Sequence, residues 1–216
     1  MSLSMHLAVL GPIDNNVYFL VDNESKDCVL IDPSFEPSIQ LRLAQEQGWQ
    51  LKQIWLTHGH YDHIAGANTV SEAFSPPLPI AMHPESFAWA AAQPDTLKMG
   101  ISIDPIPSLD IPLAQGMWLD IVPGGSRKLV EVREVPGHNP GSVLFYIPEL
   151  EMAVVGDAIF RGSIGRTDLE GSDHALLLKN IREQIYTLPD ETTLLPGHGP
   201  ATTVGFEKAN NPYVRG

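Results

Sequence analysis

Residues 57–66 read THGHYDHIAG, directly after the apolar run that ends Ile54-Trp55-Leu56. Of the 8 histidines in the chain, His58, His60 and His63 fall here, together with Asp62. His58 and His60 are two apart, the wrong spacing for one helical face but suited to an extended loop wrapped around an ion. Asp62 and His63 follow at the expected start of a helix. Imidazole nitrogens and carboxylate oxygens bind zinc at ~2.0–2.2 Å, and three protein ligands with an open position mark a catalytic site.

Further donors recur where later strands end. They are His138 in VPGHNPGS, Asp157 in VVGDAIF and His198 in LPGHGP. Each follows an apolar run, and both histidines sit in a Pro-Gly-His turn. Alone, His138 would read as an ordinary turn histidine. Asp157 is harder to place without a ligand, because a carboxylate directly after AVVG needs a strong partner, and a cation is the natural one.

The remaining pattern is a layered one. Val17–Val21 and Cys28–Ile31 read as a hairpin, and SIQLRLAQEQGWQ as an amphipathic helix with Gly48 at its C-terminal cap. LKQIWLTH is a buried strand, IAGANTVSEAF looks helical, and PESFAWAAA is a further helix. Its prolines make IDPIPSLDIPLAQG a loop. WLDIV, LVEVREV, SVLFYIP and MAVVGD are strands. HALLLKNIREQIYTL is a helix with Leu177, Ile181 and Ile185 on one face, and TTLLPGH is the last strand. Two sets of hairpins, each with a helix, suggest an α/β sandwich formed by one domain over residues 1–216.

Composition narrows the partners. Against 13 basic residues stand 26 acidic ones, a net charge of −13, which repels phosphate backbones and anionic lipid. Nucleic acid and membranes are therefore not expected partners, and a small molecule is. Cys28 is the only cysteine, which excludes an intramolecular disulfide and a thiolate-rich metal site. MSLSMHLAVLGPIDNN lacks a basic leader region and is broken at Gly11-Pro12, so a cytoplasmic location is expected.

The H-x-H-x-D-H motif at His58–His63, followed in order by His138, Asp157 and His198, resembles the metallo-β-lactamase fold superfamily. The resemblance covers nearly the whole chain. It implies an αββα sandwich with two metal ions at one edge. His58, His60 and His138 would hold one ion, Asp62, His63 and His198 the other, and Asp157 would bridge them. GDAIFRGSIGRTDLEGSD and PGHGPATTVGFEKANNPYV look like the glyoxalase II branch (hydroxyacylglutathione hydrolases), in particular its short, YcbL-like members. Longer members carry a C-terminal helical domain that helps hold glutathione. No counterpart of it is expected here, so thioester chemistry is implied more strongly than glutathione is.

The activity implied is hydrolysis of a hydroxyacyl thioester by a metal-bound hydroxide, with two divalent ions, zinc first and iron or manganese as alternatives. Asp62 would also orient the attacking water. Asp32 either orients a ligand, as its family counterpart does, or simply forms the turn before Pro33. Arg161 and Arg166 flank RGSIGR; either can pair with a substrate carboxylate, or be used up on carbonyls or Asp168. Trp89, Trp118 and Tyr146 read as core, and His6, His83 and His174 as incidental. The nearest rival is a persulfide dioxygenase of the same fold, with one iron on two histidines and an aspartate; His198 in PGHGP favours two metals. Many β-lactamases of the fold put cysteine where Asp157 stands, and closed structural zinc sites are typically rich in cysteine. The oligomeric state is left open.

Overall fold

The apolar runs are buried on both of their faces. In β2 (Asn15–Asp22), Tyr18 and Leu20 point to one side and Val17, Phe19 and Val21 to the other, none of them more than 2% exposed. β3 (Asp27–Ile31) likewise divides Val29 and Ile31 from Cys28 and Leu30. Side chains alternate along a strand, so strands without a polar face must be covered twice. The computed structural model, which describes residues 2–92 and 108–216, meets this demand with four layers in the order helix, sheet, sheet, helix. This is the αββα arrangement expected from the resemblance.

The first sheet runs in chain order: β1 (Leu3–Leu10), β2, β3, β4 (Gln50–Trp55), β5 (Ile80–Met82) and β6 (Ile111–Pro112). It is antiparallel up to β3 and parallel from there on. The second sheet contains β7 (Trp118–Leu119), β8 (Val130–Glu134), β9 (Val143–Ile147), β10 (Met152–Gly156), β13 (Thr193–Pro196) and β14 (Thr202–Thr203), in the order β14-β13-β10-β9-β8-β7. All its pairs are antiparallel except β10 with β13. A small hairpin, β11 (Ile159–Phe160) and β12 (Ser163–Ile164), follows β10.

Three apolar layers separate the four. Trp55 and Phe145, with ring centroids 5.3 Å apart, anchor the layer between the sheets. The outer face of the first sheet is covered by α1 (Pro37–Gln47), α3 (Ala67–Glu72) and α4 (Pro84–Ala92). That of the second is covered by α5 (His174–Asn180) with the π-helical turn Ile181–Ile185, and by α6 (Val204–Asn210). Leu177, Ile181 and Ile185 are all fully buried, as their spacing predicts. No helix among the described residues is long and apolar enough to cross a membrane.

The structure differs from the sequence reading at several places; TTLLPGH, for one, is not the last strand, since β14 and α6 follow it. β1 was not anticipated: it is an edge strand with Leu7 and Val9 each 53% exposed, and so lacks a clean alternation. The helix expected over IAGANTVSEAF is instead two short ones, α2 (Tyr61–Ile64) and α3. Between them the Gly66 amide donates to Pro33 O, and a Cβ on Gly66 would strike Ser34 O, so the chain bends around that contact. WLDIV keeps strand structure only at Trp118–Leu119, because Asp120 turns to meet Arg127. Part of the proline-rich loop lies outside the described residues, at 103–107. Further on, Ile111–Pro112 pairs with Ala81 and Met82 as an edge strand, a position that tolerates proline.

Candidate metal centre

The predicted donors leave the ends of strands in both sheets and meet at one edge of the sandwich. The loop after β4 carries His58 and His60, and α2 carries Asp62 and His63. From the second sheet, His138 follows β8, Asp157 follows β10 and His198 follows β13. His58, His60 and His138 place ligand atoms within 4.8 Å of one another, and so do Asp62, His63 and His198. Asp157 stands between the groups: its Oδ1 is 3.5 Å from His63 Nε2, while Oδ2 is 3.6 Å from His138 Nε2 and 3.7 Å from His198 Nε2. This approach explains the Pro-Gly-His turn at His198, because a Cβ on Gly197 would collide with Asp157 Oδ1 and the His63 ring.

Hydrogen bonds on the outer side fix which way the rings present themselves. His63 Nδ1 donates to Asp32 Oδ2 (3.0 Å), His138 Nδ1 to Arg166 O (2.9 Å) and His198 Nδ1 to Ile13 O (3.1 Å). Thr57 gives its hydroxyl proton to Asp32 Oδ2 (2.6 Å), so its oxygen accepts from His58 Nδ1 (3.0 Å). Four imidazoles thus commit Nδ1 to the outer side and turn Nε2 inward, as metal-binding histidines do. Asp32, 2% exposed, supports one histidine of each group and also accepts from the Thr57 amide (2.7 Å). It therefore has the orienting role, beyond that of a turn former.

Whether cations fit can be judged from what these atoms lack. The Nε2 atoms of His60, His63 and His138 and Asp157 Oδ1 are buried without a hydrogen-bond partner. Asp62 Oδ2 faces His198 Nε2 at 3.1 Å and His63 Nε2 at 3.3 Å, and a lone pair against a carboxylate oxygen repels unless positive charge lies between. Burial disfavours a proton on His58 and His138 and holds His60 down to about 3, so that group is neutral at pH 7. For His63, burial is outweighed by Asp62 and Asp157, which push its pKa well up; for His198, the bond to Asp62 does the same. Burial also opposes ionisation of Asp62 and Asp157, but in each the His63 charge prevails and the carboxyl is held low. The pocket draws in positive charge, and a set of nitrogen and oxygen donors suits divalent first-row ions.

A cavity of about 660 Å³ opens onto this cluster, walled by Ile13, Trp89, Phe160, Ile164 and Leu169. Trp89 needs a partial correction: it packs at the edge of the core but also faces the cavity. Its ring lies 5.1 Å from that of His60, and its indole N–H donates to Glu170 O (3.1 Å). Trp118 is not core, being 38% exposed, whereas Tyr146 packs at the edge of the outer core beneath Arg133. Arg166 lines the cavity but is committed to Asp168 through two bonds of 2.8 Å, and Arg161 lies over the Phe206 ring instead. His6 stacks on Trp49, His83 faces Glu134 and His174 meets Thr167, all away from the cluster.

Sequence reasoning missed Asn15, Thr57 and Asn139. Asn15 donates to Asp62 Oδ2 (2.8 Å), and Asn139 accepts from Ser86 Oγ (2.8 Å) and the Gly59 amide (3.4 Å). Each is 1% exposed or less. The available signal was position: each is a small polar residue beside a buried strand or a donor, where burial demands a partner.

The family model for the metallo-beta-lactamase superfamily matches residues 10–198. A probable metallo-hydrolase, YqgX of Bacillus subtilis, is 35% identical over 96% of this chain and 95% of its own. The hydroxyacylglutathione hydrolase GloC of Haemophilus influenzae is 31% identical over 90% and 91%. Among solved structures, the B3 metallo-beta-lactamase BLEG-1 superposes with a TM-score of 0.86 at 34% identity, covering 99% of this chain and 100% of that one. TTHA1623 in a di-iron-bound form gives 0.84 at 37%, covering 97% and 100%. With the αββα layers, the ordered donors and a match over most of its length, the chain belongs to the metallo-beta-lactamase superfamily.

Proposed function

We propose that this metal-dependent hydrolase holds two divalent cations, zinc in the first instance, and cleaves hydroxyacyl thioesters. The observation that carries the two-ion reading is Asp157, which lies between the groups, with Oδ1 toward His63 and Oδ2 toward both His138 and His198. His58, His60 and His138 would hold one ion, and Asp62, His63 and His198 the other. Bound there, the cations would supply water activated at neutral pH and Lewis acidity toward a carbonyl. The chain's own part is to position and to exclude. Asp62 lines the cavity and would orient the attacking water. Trp89, Phe160 and Leu169 wall off solvent and hold the acyl group against the centre.

A thioester suits this site because its leaving group needs no acid: thiols ionise near ~8.5, so thiolate departs unprotonated at little cost. Cys28 offers no competing nucleophile, since it is fully buried in β3 and burial pushes its thiol pKa up. GloC, named as a hydroxyacylglutathione hydrolase, supports the same substrate class. The mononuclear dioxygenase reading gains no observation of its own, because His198 completes a second group of donors. A small-molecule substrate in the cytoplasm completes the proposal. Metal content should be measured on the sample used to follow hydrolysis of S-lactoylglutathione and of an S-lactoyl N-acetylcysteamine thioester. About two ions per chain with turnover of either thioester is expected. A protein loaded with two ions that cleaves neither would overturn the thioesterase, and a single iron with oxygen uptake would overturn the two-ion hydrolase.

A further inference from the structure

The start of β2 belongs to the first sheet, yet its polar residues serve the loop that carries His198 in the second. The Asn16 amide donates to Gly197 O (2.8 Å), and its side chain donates to Pro196 O (2.9 Å) and Gly199 O (2.8 Å). Tyr18 adds its hydroxyl to Pro196 O (2.7 Å). Asn15 bridges to His198 through the backbone and sends Nδ2 to Asp62 Oδ2 at 2.8 Å. Each of these contacts reaches Asp62, His198 or the loop that carries His198, and none is to His58, His60 or His138.

Asn15 is the telling member. The oxygen it holds, Asp62 Oδ2, is the one that faces His63 Nε2 and His198 Nε2. An aspartate has two torsions to lose, and an N–H donor fixed on that oxygen removes that freedom before an ion arrives. An amide also donates without bringing charge, so Asp62 keeps its full negative charge for a cation; lysine or arginine there would neutralise it. With Asn15 itself 1% exposed, the donor is locked in place by the same packing that forms β2.

We propose that Asn15 is a positioning residue for one of the two cation half-sites: it sets the affinity of the Asp62–His63–His198 group and leaves the His58–His60–His138 group unaffected. The proposal rests on the two-cation reading, and the test separates the two. Each half-site is isolated by disabling the other, with His138→Ala leaving the Asp62 group and His198→Ala leaving the His58 group. Zinc affinity is then measured by competition with a chromogenic chelator, with and without Asn15→Ala and Asn15→Leu.

In the His138→Ala background, both Asn15 substitutions should weaken zinc binding by about 10- to 100-fold, the usual effect of removing a partner behind a ligand. In the His198→Ala background both should change it less than about twofold, which also shows that the variants fold. Leucine fills the space but donates nothing. Recovery of affinity by Asn15→Leu, or equal losses in both backgrounds, would assign Asn15 a packing role and overturn the proposal. Unchanged affinity in the His138→Ala background would overturn it as well. Parents that bind no zinc at all would remove the two-cation reading and this proposal with it.

Discussion

β2 begins and ends on buried polar groups, and its two ends handle them in opposite ways. At the far end, Arg127 Nη1 meets Asp22 Oδ2 at 2.7 Å, and its Nε and Nη2 meet Asp120 at 3.0 and 2.7 Å. The Glu24 amide completes Asp22, and the Val122 and Arg127 amides complete Asp120. Here the chain supplies its own cation, and the cluster ties one sheet to the other. Seven residues earlier, roughly 23 Å away along an extended strand, the Asn15 end gathers Asp32, Asp62 and Asp157 around the imidazoles of the two donor groups. Its one nearby arginine, Arg166, is committed to Asp168. Buried charge as such therefore does not mark a functional site. The mark is buried charge whose neutralising partner is not part of the chain.

The contrast can be broken from either side. The largest effect is expected from Asp157→Ala, which should remove at least one ion by elemental analysis and lower kcat/KM on the order of 10³-fold. A variant that kept two ions and full turnover would show that Asp157 does not bridge. Arg127→Met should act in the opposite sense. It strands two buried carboxylates and costs about 3 kcal/mol in denaturant unfolding, with metal content unchanged. Loss of metal in that variant would mean that the two ends are coupled.

A smaller effect has a defined pH dependence. Arg127 holds the Asp22 carboxyl below its usual value of 3.8, and at Asp120 it outweighs burial to do the same. A depressed folded-state pKa stabilises above the unfolded value and is lost as pH falls through the folded one. The stability gap between the native protein and Arg127→Met should therefore be flat above about pH 5 and narrow below about pH 4. A gap that widened on acidification would refute the pairing. The smallest effect belongs to Asp168→Asn. Its pair with Arg166 is fully exposed, so the melting temperature should not move measurably, and a clear drop would show a load on that loop that its geometry does not suggest.

What could be read in the sequence follows the physics of each element. Doubly buried strands such as VYFLV and CVLI were legible, because only a covered strand carries so unbroken an apolar run. The donors were legible too, since histidines after strand ends are chemically conspicuous, and the resemblance ordered them. β1 was not, because an edge strand exposes Leu7 and Val9 and loses its pattern. The break at Gly66 was hidden, as it depends on a contact with Pro33 and Ser34, more than thirty positions earlier. Trp89 looked like core because an aromatic residue on an apolar helix gives no sign that one face meets a cavity. Asn15 was illegible for the same reason: its partner, Asp62, is 47 residues away and on another element.

The distribution of donors over the two sheets has a mechanical consequence. Each proposed half-site takes its ligands from both: His58 and His60 with His138, and Asp62 and His63 with His198. An ion seated there fastens the two halves of the sandwich across their open edge, while Arg127 does so permanently at the other. Metal can bind tightly only after the sheets have docked, so part of its intrinsic binding energy is spent in holding that docked state. The affinity measured for the ion is thus also a gauge of how well the halves fit. Mutations deep between the sheets, such as at Trp55 or Phe145, should then be felt first as weakened metal binding, before any loss of secondary structure.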